Sequence, residues 1–205
     1  MEKEIKRNEL IEALSGSLPG ASAHRKMAPE FRGDFQHSDS VRNAAVMILI
    51  FPYPNQLHTV FIKRNEYPGP HSAQISFPGG IFELNDENLR TTALRETIEE
   101  TGIKKEIEVL GSLTPLFIPV SNFCVTPFIG WVNKKPEFDP DPSEVQYLIE
   151  VPIAKIFDKR IKHAEIIKGH EIEFMAPYYK LNNEKIWGAT AMMLSEFIEV
   201  AEQKL

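Results

Sequence analysis

Cysteine is nearly absent from this sequence of 205 residues, since Cys124 is the single one. A lone cysteine excludes an intrachain disulfide and a structural zinc site built from cysteines. The sequence also lacks a long apolar run, because the longest, residues 44–51, falls far short of the roughly 20 residues that span a bilayer. The charged beginning, residues 1–14, contains no apolar stretch of signal-peptide length. We therefore expect a cytoplasmic protein with no membrane partner.

Positive charge is in deficit, with 23 Lys and Arg against 29 Asp and Glu, for a formal net charge of −6. A negative overall field opposes sequence-independent binding to nucleic acid, so we expect no nucleic-acid partner. The acidity is concentrated: residues 83–100 hold six acids and two bases, and residues 137–150 hold five acids and no base. Bound divalent cations would reverse the local sign, so the charge does not exclude a phosphorylated small molecule as substrate.

The predicted elements mix strands and helices without regular alternation. Residues 1–40 contain a helical pattern over 3–14 and a polar lead-in segment, which we expect to pack on one domain spanning residues 41–205. The apolar run Ala44–Phe51 predicts a strand buried on both faces, and Thr59–Lys63 predicts a second strand. With 42% hydrophobic residues, a sizeable core is expected.

Further along, residues 88–101 have helical periodicity and end at Gly102, a suitable C-cap. Segments at about 171–175 and 178–181 predict a hairpin, and residues 189–201 predict an amphipathic helix. The mixture indicates an α+β or α/β sandwich.

Three glutamates on the helix at 88–101 carry the strongest chemical signal. Glu96, Glu99 and Glu100 are spaced i, i+3 and i+4, so they share one helix face, with Leu94 and Ile98 nearly opposite on the expected core side. Like charges so close weaken a helix unless a cation neutralises them, and carboxylate oxygens suit Mg²⁺ or Mn²⁺. Taken alone, an E-x-x-E-E pattern is more often a solvated acidic face.

The surrounding residues favour the metal interpretation. Gly79 and Gly80 follow a strand, and a paired glycine lets backbone approach a ligand or metal closely. The whole array resembles the Nudix box, Gly-x5-Glu-x7-Arg-Glu-U-x-Glu-Glu-x-Gly-U, in which U is apolar. The residues that match in register are Arg95, Glu96, Glu99, Glu100, Gly102 and Ile103.

Two departures from the box occur. Six residues instead of five separate Gly80 from Glu87, so either Asp86 or Glu87 takes the early acidic position. Thr97 replaces the first apolar residue. Neither departure touches the three glutamates.

The resemblance implies a Nudix fold, an α/β/α sandwich with a mixed sheet, and hydrolysis of a nucleoside diphosphate linked to another moiety. Divalent ions held by Glu96, Glu99 and Glu100 would neutralise pyrophosphate oxygens and activate a water for in-line attack. Arg95 is expected to orient one of these glutamates, the alternative being a surface ion pair.

A second pattern lies upstream of the box. Arg64 and the run Phe77–Gly80 resemble the signature of the coenzyme A pyrophosphatases within the Nudix family. Three positions depart from it: Asn65 replaces Ser or Ala, Gly69 stands where Arg is usual, and Ala73 stands where Gly is usual. Landmarks similar to this subfamily extend over residues 15–195. The resemblance implies cleavage of CoA or acyl-CoA to 3′,5′-ADP and (acyl-)phosphopantetheine.

Several residues are candidates for substrate contact or proton transfer. The forked donors of Arg64 suit phosphate, although an exposed strand-end arginine is an equal alternative. His71, Gln74 and the backbone at Gly79 and Gly80 are further candidates for binding. Glu144 lies in the region where Nudix enzymes often place an extra metal ligand or base, against the alternative of a solvated carboxylate.

Two other functions stay open. The same chemistry could act on an NDP-sugar, a dinucleotide or an oxidised nucleotide, and a Nudix fold can also serve as a binding module without catalysis. The complete set of three glutamates argues against the binding module. The oligomeric state is open, and a homodimer is one expectation.

Overall fold

The computed structural model describes residues 5–30, 41–68, 72–168 and 173–203. In that part of the chain, five α-helices and eleven strands form, with a 3₁₀ turn at Lys159–Ile161. The helices are α1 (Arg7–Leu14), α2 (Ala21–Arg25), α3 (Leu89–Thr101), α4 (Ile153–Ile156) and α5 (Gly188–Glu202). The strands are β1 (Arg42–Pro52), β2 (Leu57–Arg64), β3 (Ile75–Ser76), β4 (Gly79–Ile81), β5 (Glu108–Ser112), β6 (Leu116–Ile118), β7 (Phe123–Trp131), β8 (Val145–Pro152), β9 (Lys162–Lys168), β10 (Glu173–Leu181) and β11 (Glu184–Trp187).

The main sheet is built around β1. Along one edge β1 runs parallel to β7, from Arg42 opposite Phe123 to Ile50 opposite Trp131. Along the other edge it pairs antiparallel first with β4 and then with β2. β2 continues away from β1 to pair with β3 and β8, while β5 and β6 pair with β7. The sheet is therefore mixed.

The run Ala44–Phe51 is buried on both faces of the sheet, as predicted. Met47, Leu49 and Phe51 face a core formed with α3, and Ile48 and Ile50 face a second core formed with α1 and α5. Side chains alternate between the two faces along a strand, so one apolar strand supplies both cores. Helices thus cover both sides of the sheet, which confirms the predicted α/β/α sandwich. None of the helices in the described ranges is long and apolar enough to cross a membrane.

The second half of the chain differs from the prediction in one respect. The hairpin expected from 171–175 and 178–181 is wrong: from residue 173 on, these positions form one strand, β10, and residues 171 and 172 lie outside the described part. β10 is the middle strand of a second antiparallel sheet with β9 and β11. Pro177 lies opposite Ala164 of β9, and β11 begins pairing only at Tyr178, so Pro177 has a partner strand on one side alone.

The described part of the lead-in segment, up to residue 30, packs on the domain. The short helix α2 packs against α5, with Ala23, His24 and Met27 buried. Leu10 and Ala13 of α1 enter the same core. The amphipathic helix predicted over 189–201 is confirmed as α5, and the N-terminal segment covers part of its surface.

Candidate active site

α3 is positioned by its two ends. The Asn88 side chain accepts a hydrogen bond from the Thr91 backbone N–H at 3.0 Å and so caps the N-terminus. Gly102 ends the helix with φ of 66°, and a Cβ there would lie 2.0 Å from the Asp139 carbonyl oxygen. The predicted helix and its glycine C-cap are both confirmed. Glycine is required at position 102 because its φ is positive and because the backbone of Asp139 lies so close to it.

The helix is rotated relative to the prediction. Ile98 was expected on the core side, yet it is 47% exposed, whereas Glu100 is only 1% exposed. The buried residues of α3 are the small Thr92, Ala93, Thr97 and Thr101 together with Glu100, while Leu94 packs partly buried against the core as predicted. Small side chains let the helix lie close to β1 and β4, and this close packing carries Glu100 into the interior. The assignment of Ile98 to the core was therefore wrong.

Glu100 lies between the glycine pair and Arg64. Its Oε2 accepts a hydrogen bond from the Gly79 N–H at 2.7 Å, and its Oε1 accepts one from Arg64 Nη1 at 3.2 Å. Burial raises the pKa of this carboxyl to about 7, despite the opposing effects of Arg64 and the Gly79 N–H. A buried carboxyl held so far from its ordinary pKa is a recognised mark of functional sites.

The adjacent glycines Gly79 and Gly80 are required for different reasons. A Cβ on Gly79, whose φ is 154°, would lie 2.3 Å from the Ala45 carbonyl oxygen, so only glycine fits against β1. A Cβ on Gly80 would lie 2.3 Å from the carboxyl carbon of Glu96. The missing side chain of Gly80 therefore leaves the space that the Glu96 carboxylate occupies.

Arg95 connects four acidic side chains at the front of α3. Its Nε and Nη2 donate to the two oxygens of Asp86 at 3.0 and 2.9 Å, a bidentate pair. Its Nη1 donates to Glu96 at 2.8 Å and to Glu99 at 3.0 Å, and lies 4.0 Å from Glu83. Arg95 was expected to orient one of the three glutamates of the helix, and it contacts two of them, Glu96 and Glu99.

The early acidic position of the box is taken by Asp86. The Asp86 carboxylate is buried, and it accepts further hydrogen bonds from the Thr92 hydroxyl at 2.9 Å and the Glu83 N–H at 3.0 Å. Its bond to Arg95 holds the pKa of this carboxyl far below its ordinary value. Glu87 is exposed. The extra residue in the spacing is therefore absorbed in the turn before α3.

Glu96 and Glu144 complete the acidic environment of Glu100. Burial raises the pKa of Glu96, with Glu99 and Glu144 as like-charged neighbours and Arg95 opposing the rise. Glu144 is exposed, and its charge also reaches Glu100. Its loop is held beside β2 by the Asn65 N–H, which donates to the Glu144 carbonyl oxygen at 3.1 Å. The fold thus brings Glu144 near α3 from 44 residues away along the chain.

A cavity of about 350 Å³ adjoins this acidic cluster. Arg64, Gln74, Gly79 and Gly80 line it, so four of the five predicted substrate-binding residues lie on one surface. The fifth, His71, lies outside the described residues. The sequence interpretation missed Arg42, which also lines the cavity. Its only local signal is its place at the start of the buried strand.

The three glutamates of α3 are of the chemical type that binds a hard divalent cation. Glu96, Glu99 and Glu100 offer carboxylate oxygens only, and Gly80 leaves room for one of them. Guanidinium groups of Arg95 and Arg64 contact these carboxylates in the structure. Over the described ranges, no three acidic, histidine or cysteine side chains already converge on one point. The three glutamates would therefore have to turn from the arginines to share a cation.

Known proteins similar to this chain agree on the family. A family model for the NUDIX domain matches residues 41–169. The Nudix hydrolase NudL of Photorhabdus laumondii is 30% identical over 165 residues, which are 79% of this chain and 86% of that protein. The NudL of Yersinia pestis is 35% identical over 156 residues, covering 75% and 76% of the two chains.

Solved structures agree on the fold. The Nudix hydrolase RenU of M. smegmatis superposes with a TM-score of 0.51 at 14% identity, covering 86% of this chain and 94% of its own. A MutT/nudix family protein from Enterococcus faecalis gives 0.51 at 17% identity, covering 84% and 64%. Identities this low support the architecture alone. The domain match and the extended similarity to NudL show that this chain belongs to the Nudix family of hydrolases.

Proposed function

We propose that this protein hydrolyses the pyrophosphate bond of CoA or acyl-CoA, giving 3′,5′-ADP and (acyl-)phosphopantetheine. One observation carries the proposal: residues from both sequence patterns meet at one carboxylate. Arg64 and Gly79, both in the CoA-type signature, donate to Glu100 of the box, 3.2 and 2.7 Å away. The substrate-binding arginine and the proposed metal helix are therefore adjacent, as cleavage of a bound diphosphate requires.

We assign Glu96, Glu99 and Glu100 as the residues that would hold Mg²⁺ or Mn²⁺. When bound, such a cation neutralises pyrophosphate oxygens and makes a water nucleophilic near neutral pH. Arg95 would orient Glu96 and Glu99, because it contacts both while Asp86 fixes its other edge. Glu100 carries a proton more readily than an ordinary carboxyl, so cation binding there competes with protonation near pH 7.

The other residues of the cluster receive substrate-directed roles. Arg64 would release Glu100 to the cation and donate to a phosphate oxygen, for which its fork is suited. The backbone at Gly79 and Gly80 would lie against the diphosphate, since no side chain separates it from the cavity. Glu144, exposed and electrostatically coupled to Glu96 and Glu100, would accept the proton of the attacking water. Gln74 and His71 stay predictions as substrate contacts.

A substrate panel tests the proposal. Purified protein with Mg²⁺ or Mn²⁺ is incubated with CoA, acetyl-CoA, ADP-ribose, a diadenosine polyphosphate, an NDP-sugar and 8-oxo-dGTP, and products are identified by mass spectrometry. We expect the highest kcat/KM for CoA or acyl-CoA and no turnover in EDTA. A preference for another diphosphate would replace CoA as the substrate, and no turnover of any compound would favour a binding module. The cytoplasmic location, the lack of nucleic-acid and membrane partners and the homodimer stay predictions.

A further inference from the structure

The cavity beside the acidic cluster is apolar along its walls and cationic at its ends. It lies between β1, β4 and the beginning of α5, with walls formed by Ala44, Val46, Phe77, Val125 and Met193. Among the described residues that line it, the charged ones are Arg42 and Arg64. Its volume, about 350 Å³, falls within the range of small-molecule sites. Its lining therefore suits a ligand with an apolar or flat body between two anionic groups.

Strand register separates the two arginines along the cavity. Val46 pairs with Gly79, whose N–H contacts Glu100, and Arg42 lies four residues before Val46 on the same strand. At about 3.3 Å per residue, the backbone of Arg42 is about 13 Å along β1 from Val46, the residue that pairs with Gly79. Arg64 lies at the Glu100 end. A group that contacts Arg42 is thus distinct from the diphosphate at Glu100.

The Arg42 guanidinium is held in place by neutral groups and not by a carboxylate of the described residues. Its central carbon lies 4.1 Å from the centroid of the Phe123 ring, and Nη2 is 3.4 Å from the Ser121 carbonyl oxygen. No carboxylate among the described residues forms an ion pair with it, whereas Arg64 is paired with Glu100. Stacking on an aromatic ring orients a guanidinium and leaves its edge donors available to an anion.

We propose that Arg42 binds the 3′-phosphate of the substrate, so that the cavity holds the nucleotide half of CoA. This inference rests on the proposed function. The 3′-phosphorylated ADP half carries two separated anions and a flat base, whereas the pantetheine arm carries no charge to match an arginine. Arg42 is then a specificity-determining residue that distinguishes CoA from 3′-dephospho-CoA. The uncharged arm lies outside the cavity.

A comparison of two substrates in two proteins tests this assignment. kcat/KM is measured with Mg²⁺ for CoA and 3′-dephospho-CoA in the wild type and in Arg42→Gln. A charge-assisted bond to phosphate predicts a wild-type preference for CoA of about 10- to 100-fold. In Arg42→Gln this preference falls towards unity, chiefly through a higher KM for CoA. Arg25→Gln, an exposed arginine on α2, is the matched control and keeps the preference.

A binding measurement gives an answer that is independent of turnover. Calorimetry of the metal-free protein compares adenosine 3′,5′-bisphosphate with AMP, and only the wild type and Arg25→Gln should favour the bisphosphate. If the wild type cleaves CoA but Arg42→Gln keeps the wild-type preference, the inference is wrong and the proposed function stands. If the wild type cleaves neither substrate, the proposed function fails and the inference with it. Circular dichroism confirms that Arg42→Gln is folded.

Discussion

Among the described residues, two glutamates are almost completely buried, one on each side of the main sheet, and they differ in what surrounds them. Glu196 on α5 accepts hydrogen bonds from Gly20 N–H at 3.0 Å, from the Thr114 hydroxyl at 2.6 Å and from Thr114 N–H, and lies 2.8 Å from His24 Nε2. Glu100 on α3 accepts from Gly79 and Arg64, and it has Glu96 and Glu144 as like-charged neighbours.

The different partners move the two pKa values in opposite directions. Burial alone would raise the pKa of Glu196, but the hydrogen bonds from His24 and Thr114 outweigh it and lower the pKa below its ordinary value. Burial dominates at Glu100 and raises its pKa to about 7. The Glu196 carboxylate, which accepts several hydrogen bonds, holds the N-terminal segment against α5. The Glu100 carboxylate accepts fewer hydrogen bonds and lies among like charges, so it can still bind a cation, and its burial lowers the stability of the fold.

The largest expected effect is on catalysis, at Glu100. Glu100→Gln should lower kcat by about a thousandfold or more, because loss of one cation ligand removes several kcal/mol of transition-state stabilisation. The protein should remain folded, since glutamine can still accept the Gly79 N–H. Steady-state kinetics with the preferred substrate measures the loss.

Glu87→Gln is the matched control for Glu100→Gln, because Glu87 is exposed and outside the Arg95 cluster. It should turn over at nearly the wild-type rate. Near-normal activity of Glu100→Gln would remove Glu100 from the proposed metal site.

The next largest expected effect is on stability, at Glu196. Glu196→Ala should lower the free energy of unfolding by about 3 to 4 kcal/mol, since it leaves the N–H groups of Gly20 and Thr114 and the His24 ring without their buried acceptor. Urea unfolding measures the change. The kcat of the folded variant should stay within about twofold of the wild type, because Glu196 lies across the sheet from α3.

Glu199→Ala provides the comparison on the same helix. Its ion pair with Lys26, 2.9 Å long, involves a largely exposed lysine and should contribute less than about 1 kcal/mol. Equal losses in the two variants would mean that the buried network contributes no more than a surface pair.

The opposite pKa shifts predict opposite dependence of stability on pH. The folded pKa of Glu100 lies above its ordinary value of 4.5, so folded protein binds this proton more tightly than unfolded protein between pH 4.5 and 7. Ionisation therefore destabilises the metal-free protein as the pH rises through that window, by up to about 3 kcal/mol. Glu196 has a lowered pKa, so its contribution is present above pH 4.5 and is lost as the pH falls.

Urea unfolding in EDTA at pH 5 and pH 8 measures the first of these effects. The stability of the wild type relative to Glu100→Gln should decrease from pH 5 to pH 8. A relative stability that is flat or increases over this interval would show that the Glu100 pKa is not raised in the folded protein.

The smallest effect is expected at a buried polar group that is satisfied within its own helix. The Thr97 hydroxyl donates to the Ala93 carbonyl at 2.6 Å, and that carbonyl is an ordinary helix acceptor. Thr97→Val should change the free energy of unfolding by less than about 1 kcal/mol and leave kcat close to the wild-type value. A tenfold loss of kcat would show that Thr97 influences the glutamates beside it.

Local patterns predicted the features that depend on neighbouring residues in the chain. The helix with its three glutamates, its end at Gly102 and the strand Ala44–Phe51 were all predicted correctly. Each follows from spacing or backbone chemistry within a dozen residues. The same patterns failed where packing decides the outcome, as at Ile98. A helix period alone could not show that small residues would face β1 and draw Glu100 inward.

Other failures have the same origin. The hairpin prediction divided β10 near Pro177, since the sequence did not show which edge of the strand would be free. The spacing left Asp86 and Glu87 equivalent, and only the bidentate contact with Arg95 distinguished them. Arg42 had no motif around it, so its place beside the cavity depended on the register between β1 and β4.

By itself, the sequence determined the family and the chemical groups available: three carboxylates on one helix, a glycine pair and an arginine at the end of a strand. Tertiary structure decided which carboxylate is buried, which arginine contacts it and which residues line the cavity. The reason is physical. Spacing along the chain determines which groups share a helix face, but burial, pKa and contact depend on segments such as β2, β4 and the 139–144 loop, which only folding brings to α3.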